Sequence, residues 1–222
     1  MKRSEINTHI SEAKNFFNQH SFKLPPWAFF SPDDWKKAGP EYREIRDNML
    51  GWDLTDFGSG DFQQTGLLLF TIRNGNFNNP AYKKSYAEKI MIVREKQITP
   101  THFHWNKMED IINRGGGELW IQVWKANKQE EKTDDSFTIQ IDGVTRTFRG
   151  GDIVKLTPGE SICLEPYIYH EFWAEKGMTL VGEVSMVNDD NNDNRFYKPL
   201  GRFPAIEEDQ KPIHLLCNEY PV

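Results

Sequence analysis

Three histidines and one glutamate have the types and spacing needed to bind a single divalent metal ion. His102 and His104 are separated by one residue, Glu109 follows shortly after, and His170 lies much farther along the chain. Side chains two positions apart on a strand point to the same face, so two imidazoles could reach one ion together. Three imidazoles and a carboxylate suit Mn²⁺, Fe²⁺, Co²⁺, Ni²⁺ or Zn²⁺. We therefore predict a metal site formed by His102, His104, Glu109 and His170.

The chemistry of such a site depends on what else can reach the ion. An octahedral ion with four protein ligands keeps two positions free, which would let a substrate bind through two oxygens. Glu109 can return to the ion only if the chain bends after His104, and His170 only if a distant strand closes beside the first. The constellation therefore predicts a closed β structure around it.

Residues 1–65 are predicted to form a helical extension packed on that structure. Apolar residues recur at helical spacing over about the first 20 residues, and Ser4 is a candidate N-cap for this amphipathic helix. The apolar positions are Ile6, Ile10, Ala13 and Phe17. Ser31 followed by Pro32 predicts the start of a second short helix. Helical signals stop near Asn48.

From Gly66 onward, short runs of β-branched and aromatic residues alternate with turn residues. The candidate strands are Gly66 to Arg73, Tyr86 to Glu95, Thr101 to Trp105, Glu118 to Trp124, Ser136 to Ile141, Val144 to Phe148, Asp152 to Leu156, Ser161 to Leu164, His170 to Ala174 and Thr179 to Val187. Asp142-Gly143 predicts a tight hairpin, and the glycine cluster from Gly115 to Gly117 predicts a turn. Many short strands without helical crossovers predict an all-β antiparallel barrel over residues 66–190, followed by an irregular tail over 191–222.

Composition excludes several classes of partner. The chain has 222 residues and a formal net charge of −6, with Lys and Arg dispersed, so it offers no basic patch for nucleic acid. No apolar run approaches the ~20 residues of a membrane span, and we expect a cytoplasmic protein. Cys163 and Cys217 match no disulfide framework or metal pattern. An aromatic content of 13% favours buried interfaces, so we expect a homodimer.

The metal motif resembles that of the cupin superfamily, GxxxxxHxHxxxxExxxxxxG in one-letter form. The two histidines, the glutamate and Gly116 fall on it in register, whereas Lys96 occupies the leading glycine position, a change that affects a turn and not a ligand. A second cupin motif is matched loosely by Gly159, Pro166 and His170. This resemblance implies a jelly-roll β-barrel.

A larger part of the chain, from about Thr99 to Asp190, resembles the cupin-type D-lyxose isomerases. The matching segments are Pro100 to His104, Lys107 to Ile111, Gly116 to Leu119, Glu165 to His170, Gly182 to Ser185 and Asn188 to Asp190. The resemblance implies interconversion of D-lyxose with D-xylulose, and of D-mannose with D-fructose, with Mn²⁺ as the usual ion.

Moving a carbonyl between C1 and C2 of a sugar requires a base for the C2 proton and a Lewis acid for the enediolate oxygens. Glu183, in the long apolar run from Thr179 to Val187, is the first choice as base, and we expect a cis-enediol route. Glu118 could line the pocket or lie on the surface. Lys107 could polarise a substrate oxygen, shuttle a proton, or be an ordinary solvated lysine.

Asp190 and Arg195, in the polar segment after the last long strand, could bind distal sugar hydroxyls or form an exposed loop. Two other functions use the same ligand set. A non-haem metal dioxygenase would need an apolar O₂ pocket, whereas Lys107, Glu118 and Glu183 make this site polar. A non-catalytic sugar-binding cupin would show no turnover to lose when the base is replaced.

Overall fold

The computed structural model describes residues 1–190 and 192–221. Its helices are α1 (Arg3–Gln19), α2 (Pro32–Lys37) and α3 (Arg43–Asp47), with 3₁₀ turns at Pro26–Phe29 and Pro40–Tyr42. Its strands are β1 (Gly51–Thr55), β2 (Leu67–Arg73), β3 (Tyr86–Val93), β4 (Thr99–Phe103), β5 (Glu109–Ala126), β6 (Lys132–Thr133), β7 (Ser136–Ile141), β8 (Val144–Arg149), β9 (Ile153–Leu156), β10 (Ser161–Leu164), β11 (Ile168–Met186) and β12 (Arg195–Phe196). No helix in the described ranges is long and apolar enough to cross a membrane.

Two long strands, β5 and β11, run through both sheets of an antiparallel barrel. In the first sheet, the second half of β11 pairs with the first half of β5. β3, β2 and β1 follow in that order on the β11 side, and β10, β7 and β8 follow on the β5 side. The remaining halves of β5 and β11 pair with each other and with β4, β6 and β9, and β12 adds to β4. Apolar side chains of both sheets meet in one interior core. The prediction of an all-β cupin barrel with an N-terminal helical extension is confirmed.

β5 passes from one sheet to the other at its glycine cluster. Gly115 and Gly116 have φ angles of 145° and 92°, a backbone region that residues with a Cβ rarely adopt. A Cβ at Gly116 would also collide with the carbonyl oxygen of Met178 on β11. The pairing with β11 is irregular there, so the chain bends without ending the strand. The prediction of a turn at this cluster was therefore wrong, because glycines serve bulges as well as turns.

Helix α1 covers the outer face of the β1–β2–β3 layer. β2 has apolar residues on both faces, with Leu69 in the barrel core and Leu68 and Phe70 under the helix. Ile6 and Ile10 of α1 are fully buried against this second face. Burial on both faces explains why the strand reads as a continuous apolar run and not as an alternating one.

Several local predictions can be compared with the structure. Asp142 and Gly143 have φ angles of 50° and 77° and join β7 to β8, which confirms the hairpin. Ser31 caps α2 by accepting a hydrogen bond from the Asp34 amide at 3.2 Å, as predicted. Lys96, at the position of the cupin motif's leading glycine, has a φ of 59°, in the left-handed region that favours glycine.

Three other features differ from the prediction. The N-cap of α1 is Lys2, whose amide donates to Glu5 Oε2 at 2.7 Å, while the Ser4 hydroxyl instead bonds Asp209. The sheet begins at Gly51, within the segment predicted to be a helical extension, because β1 pairs along its length with β2. The stretch after residue 190, predicted as irregular, contributes β12 to the sheet.

Candidate metal centre and active site

The β4–β11 strand pair brings the predicted histidines together. His102 and His170 are direct partners in the antiparallel register, and His104 follows the end of β4 on the same face. The ligand atoms of the three histidines all lie within 4.8 Å of one another. Barrel closure therefore places His170 beside a pair from which it is distant in sequence, as the spacing required.

Each of the three imidazoles is oriented by a hydrogen bond from Nδ1 to a backbone carbonyl. The acceptors are Pro100 O for His102 at 2.7 Å, Ile168 O for His170 at 3.0 Å and Asp193 O for His104 at 2.6 Å. Since a carbonyl can only accept, each Nδ1 carries the hydrogen and each Nε2 is left with a lone pair. Metal-binding histidines are commonly oriented in this way.

Glu109 brings a carboxylate to the same point from the start of β5. Its Oε1 lies 3.3 Å from His104 Nε2 and 3.2 Å from His170 Nε2. Both Nε2 atoms are buried and lack a hydrogen-bond donor among the described residues. Lone pairs and a carboxylate oxygen repel at these distances unless a cation lies between them. The donor set therefore fits a divalent ion held by the three histidines and Glu109.

Burial and local charge favour the protonation states that a metal requires. Burial and the neighbouring imidazoles hold the pKa of His102 well below its ordinary value. Burial and the ammonium group of Lys107 lower the pKa of His104. For Glu109, burial alone would raise the pKa, but Lys107 and His104 hold it well below the usual range. Neutral imidazoles and an ionised carboxylate are the metal-binding forms.

Lys107 and Glu183 form a buried ion pair beside this centre. Lys107 Nζ lies 2.7 Å from Glu109 Oε2 and 3.1 Å from Glu183 Oε1, and both side chains of the pair are at most 6% exposed. Burial would lower the pKa of Lys107, but the two carboxylates raise it above its ordinary value. Burial would raise the pKa of Glu183, but Lys107 and Lys89 hold it below the usual range. Both groups are therefore charged at neutral pH.

Several residues of the site were missed by sequence reasoning. Lys89 faces Glu183 from β3, with Nζ 3.2 Å from Oε1. Arg202 forms an ion pair with Asp53, and its Nη2 lies 3.1 Å from Asp190 Oδ2. Lys89 could have been found from the sequence, because a lysine within the apolar run of β3 would be buried and would need an anionic partner. Arg202 gives no such signal, because its partners become neighbours only through the fold.

The region after β11 also completes the site, although it was predicted to be a surface tail. Asp193 Oδ1 accepts from the Asn106 amide at 2.8 Å, and its Oδ2 accepts from the Lys107 amide at 2.9 Å. The same residue orients His104 through its carbonyl oxygen. Asp193 therefore holds the β4–β5 connection, where His104 and Lys107 are found.

Comparison with known proteins identifies the family. A model of the D-lyxose isomerase family matches residues 1–220. Two curated relatives, the D-lyxose/D-mannose isomerases of Escherichia coli O157:H7 and Serratia proteamaculans, are each 51% identical over 223 residues, covering 99% of this chain and 98% of the relative. The chain belongs to the D-lyxose isomerase family. It is thus an enzyme, an aldose–ketose isomerase, and the dioxygenase and non-catalytic alternatives are not supported.

Solved structures of other sugar isomerases share the fold. L-ribose isomerase of Cellulomonas parahominis, solved with L-ribose, superposes with a TM-score of 0.60 at 16% identity, covering 93% of this isomerase and 98% of that chain. The Geodermatophilus obscurus L-ribose isomerase gives a TM-score of 0.61 at 13% identity, with the same coverage. At these identities the likeness is one of architecture.

The isomerase has a pocket with a cavity volume of about 70 Å³ at the candidate metal centre. Its apolar lining includes Phe57, Leu69, Met91, Phe172 and Phe196. Its polar lining includes the three histidines, the two lysines, Glu109, Glu183, Asp190 and Arg202. Asp190 lines the pocket, and although burial would raise its pKa, the charges of Lys89 and Arg202 lower it.

Two predicted site residues of the isomerase lie elsewhere. Glu118 is on β5 beyond the glycine bulge, where its Oε1 pairs with the exposed Lys176 at 2.5 Å, so it does not reach the pocket. Arg195 Nε pairs with Glu130 Oε2 at 2.8 Å and does not line the pocket either. The reason is geometric in both cases. Glu118 lies past the bend in its strand, and Arg195 lies on the edge strand β12.

Proposed function

We propose that this enzyme interconverts D-lyxose with D-xylulose, and D-mannose with D-fructose, using one divalent metal ion, with Mn²⁺ as the preferred ion. The proposal is supported by the names of the relatives and by the pocket that joins the metal-binding set to an ionised glutamate. The observation that carries it is the convergence of oriented imidazole lone pairs and Glu109 Oε1 beside Lys107 and Glu183. A divalent ion held there would supply a Lewis acid that polarises the sugar carbonyl.

Glu183 is the proposed base. Its carboxylate takes the proton from C2 of the aldose as the C–H electron pair forms the C1–C2 double bond and the C1 carbonyl pair moves onto O1. The proton of the O2 hydroxyl passes to O1, the C2 carbonyl forms, and Glu183 returns its proton to C1 on the same face. Transfer on one face by a single carboxylate corresponds to a cis-enediol, and the lowered pKa keeps Glu183 unprotonated before the reaction.

Lys107 and Asp190 have supporting roles in this proposal. Lys107 remains an ammonium ion between Glu109 and Glu183, so its charge stabilises the negative enediolate oxygens. Asp190, which lines the pocket beside Arg202, can accept hydrogen bonds from distal sugar hydroxyls. Glu118 and Arg195 have no place in this mechanism because neither lines the pocket.

The test is isomerisation of D-lyxose and D-mannose by protein stripped with a chelator and then reloaded with single divalent ions. We expect turnover to disappear on chelation and to return most fully with Mn²⁺. In D₂O, the enediol route incorporates solvent deuterium at the transferred position, whereas a hydride shift between C1 and C2 incorporates none. Turnover that survives chelation, or product free of deuterium, would contradict the proposal.

We also infer from composition that the enzyme is a cytoplasmic homodimer. The supporting feature for the dimer is the aromatic content of 13%. Light scattering coupled to size exclusion tests the assembly, with a mass of twice 26.0 kDa expected and a monomer mass contradicting it. Cell fractionation tests the location.

A further inference from the structure

The two oxygens of the Glu183 carboxylate have very different surroundings. Oε1 is approached by three donors, at 3.1 Å from Lys107 Nζ, 3.2 Å from Lys89 Nζ and 3.1 Å from Ser185 Oγ. A carboxylate oxygen has two lone-pair directions, and at Oε1 they are occupied by the hydrogen bonds from Lys107 and Ser185 together with the ion pair to Lys89. For Oε2, by contrast, no hydrogen bond is found within the described ranges.

The three donors of Oε1 come from three separate parts of the fold. Lys89 is the register partner of Glu183 on β3, while Ser185 lies two residues farther along β11 on the same face. Lys107 belongs to the connection between β4 and β5. Donors held by independent backbone segments prevent the carboxylate from rotating about its own side chain. Oε1 is thereby fixed toward β3, which leaves Oε2 as the oxygen free to act.

Lys89 is itself held firmly in place. Its Nζ donates to Asn188 Oδ1 at 2.7 Å, and the side chain is only 7% exposed. The Asn188 amide in turn donates to Asn74 Oδ1 at 3.0 Å, which anchors the acceptor to the end of β2. Because its ammonium group is also held by Asn188, Lys89 restrains the position of the Glu183 carboxylate.

Lys89 differs from Lys107 in one respect that matters for assigning its role. Lys107 contacts the metal-facing Glu109 as well as Glu183, so its replacement would disturb both groups. Lys89 contacts Glu183 and Asn188, and its charge also acts on Asp190. The Ser185 hydroxyl lies 3.1 Å from Glu183 Oε1 and 2.8 Å from the Met186 carbonyl oxygen, so its single hydrogen is shared between these two acceptors. These two residues therefore act on the base without touching the metal-binding set.

We propose that Lys89 and Ser185 are positioning residues that hold Oε1 of Glu183 and so present Oε2 to the sugar as the proton-transferring atom. This inference rests on the proposed role of Glu183 as base. Proton transfer from carbon depends strongly on the alignment of base and C–H bond, and a misplacement of about 1 Å can reduce the rate roughly 100-fold. Loss of either donor should therefore lower kcat more than it changes KM.

The experiment compares Lys89→Met and Ser185→Ala with wild type, measuring kcat, KM, exchange of the C2 proton with D₂O, and bound Mn²⁺. We expect kcat and exchange to fall about 10- to 100-fold for Lys89→Met and about 3- to 10-fold for Ser185→Ala, with KM within about twofold and full metal content. Ser185→Thr keeps the hydroxyl and should recover most of the loss. Lys176→Met, which removes a lysine–glutamate pair outside the pocket, is the matched control and should behave as wild type.

Glu183→Gln, measured alongside, separates this inference from the function on which it rests. If Glu183→Gln loses exchange while Ser185→Ala and Lys89→Met keep wild-type kcat, the positioning role is overturned and the base is retained. A change in KM or metal content, with kcat unaltered, overturns it as well. If Glu183→Gln itself keeps exchange, the proposed base is wrong. Ser185→Ala removes no buried charge, so it remains informative if Lys89→Met does not fold.

Discussion

His102 of β4 and His170 of β11 face each other directly across the strand pair, with ring centroids 4.2 Å apart. Both rings use the same local arrangement, in which Nδ1 bonds the carbonyl oxygen two residues earlier in its own strand. The two Nε2 atoms therefore point toward a shared space, where Glu109 Oε1 also lies near His170. The strand register thus aligns these two candidate ligand atoms.

This arrangement predicts that a divalent ion stabilises the folded enzyme. Binding at a free concentration of 100 times Kd adds about 2.7 kcal/mol to the free energy of unfolding. We expect thermal unfolding to shift upward on titrating Mn²⁺ into chelator-stripped protein. His170→Gln should abolish the shift, whereas His20→Gln, a substitution away from the cluster, should retain it. An equal shift in both variants would mean that the ion binds elsewhere.

The position of Glu118 predicts a contrast between two glutamate substitutions. Glu183→Gln removes the proposed base and should lower turnover by about 100-fold or more, with metal content unchanged. Glu118→Gln should leave turnover at the wild-type level, because this carboxylate pairs with Lys176 outside the pocket. Steady-state kinetics with D-lyxose and elemental analysis measure both quantities. Equal losses in the two variants would contradict the placement of the base.

Much of the site could be predicted because its metal-facing residues form a local pattern. His102, His104 and Glu109 lie within eight consecutive positions, and strand alternation alone gives the two histidines one face. Lys89 and Arg202 could not be assigned in the same way. Each is a single cation whose partners are brought near by strand register or by the path of the tail.

The fold was predictable to a similar extent. Alternating strands and the hairpin follow from periodicity and turn chemistry, whereas β1 was missed. Its residues include Asp53 between Trp52 and Leu54, and this carboxylate is buried only because Arg202 pairs with it. A charged residue whose partner is distant in sequence interrupts the apolar pattern by which a buried strand is recognised. Glu118 was misassigned for a related reason, since alternation cannot show where a strand bends.

The buried guanidinium of Arg3 predicts a strong coupling between the two ends of the chain. Arg3 is 1% exposed and pairs with both Glu208 and Glu219, which connects α1 to the C-terminal tail. Arg3→Met should lower the free energy of unfolding by about 2–3 kcal/mol, less than for a fully buried pair because Glu208 is largely exposed. Urea denaturation measures the loss. Lys36→Met, which removes an exposed pair with Asp33, serves as the control and should leave the midpoint unchanged.

His214 predicts a pH dependence of stability. Its Nδ1 donates to Phe30 O at 2.9 Å, and Lys14 Nζ lies 3.0 Å from Nε2, an arrangement that requires a neutral ring. Burial, and secondarily Lys14, lowers the pKa of His214 below its ordinary 6.5. As pH falls, the unfolded chain is therefore protonated at His214 at a higher pH than the folded protein is. The contribution of the neutral His214 ring to the free energy of unfolding is present above pH 6.5 and is lost as pH falls through the folded-state pKa.

The measurement is the free energy of unfolding of wild type and His214→Gln at several pH values below 6.5. One proton of difference corresponds to about 1.4 kcal/mol per pH unit, and the variant should show a shallower slope by up to this amount. Identical slopes would show that His214 does not contribute.

The metal-facing side chains and Glu183 are carried by β4, β5 and β11 or by the short link between them, and the backbones of these strands are hydrogen-bonded to one another. Amide protons in this part of the barrel should consequently exchange with solvent only when the whole domain unfolds. An enzyme built in this way cannot loosen its reactive centre locally.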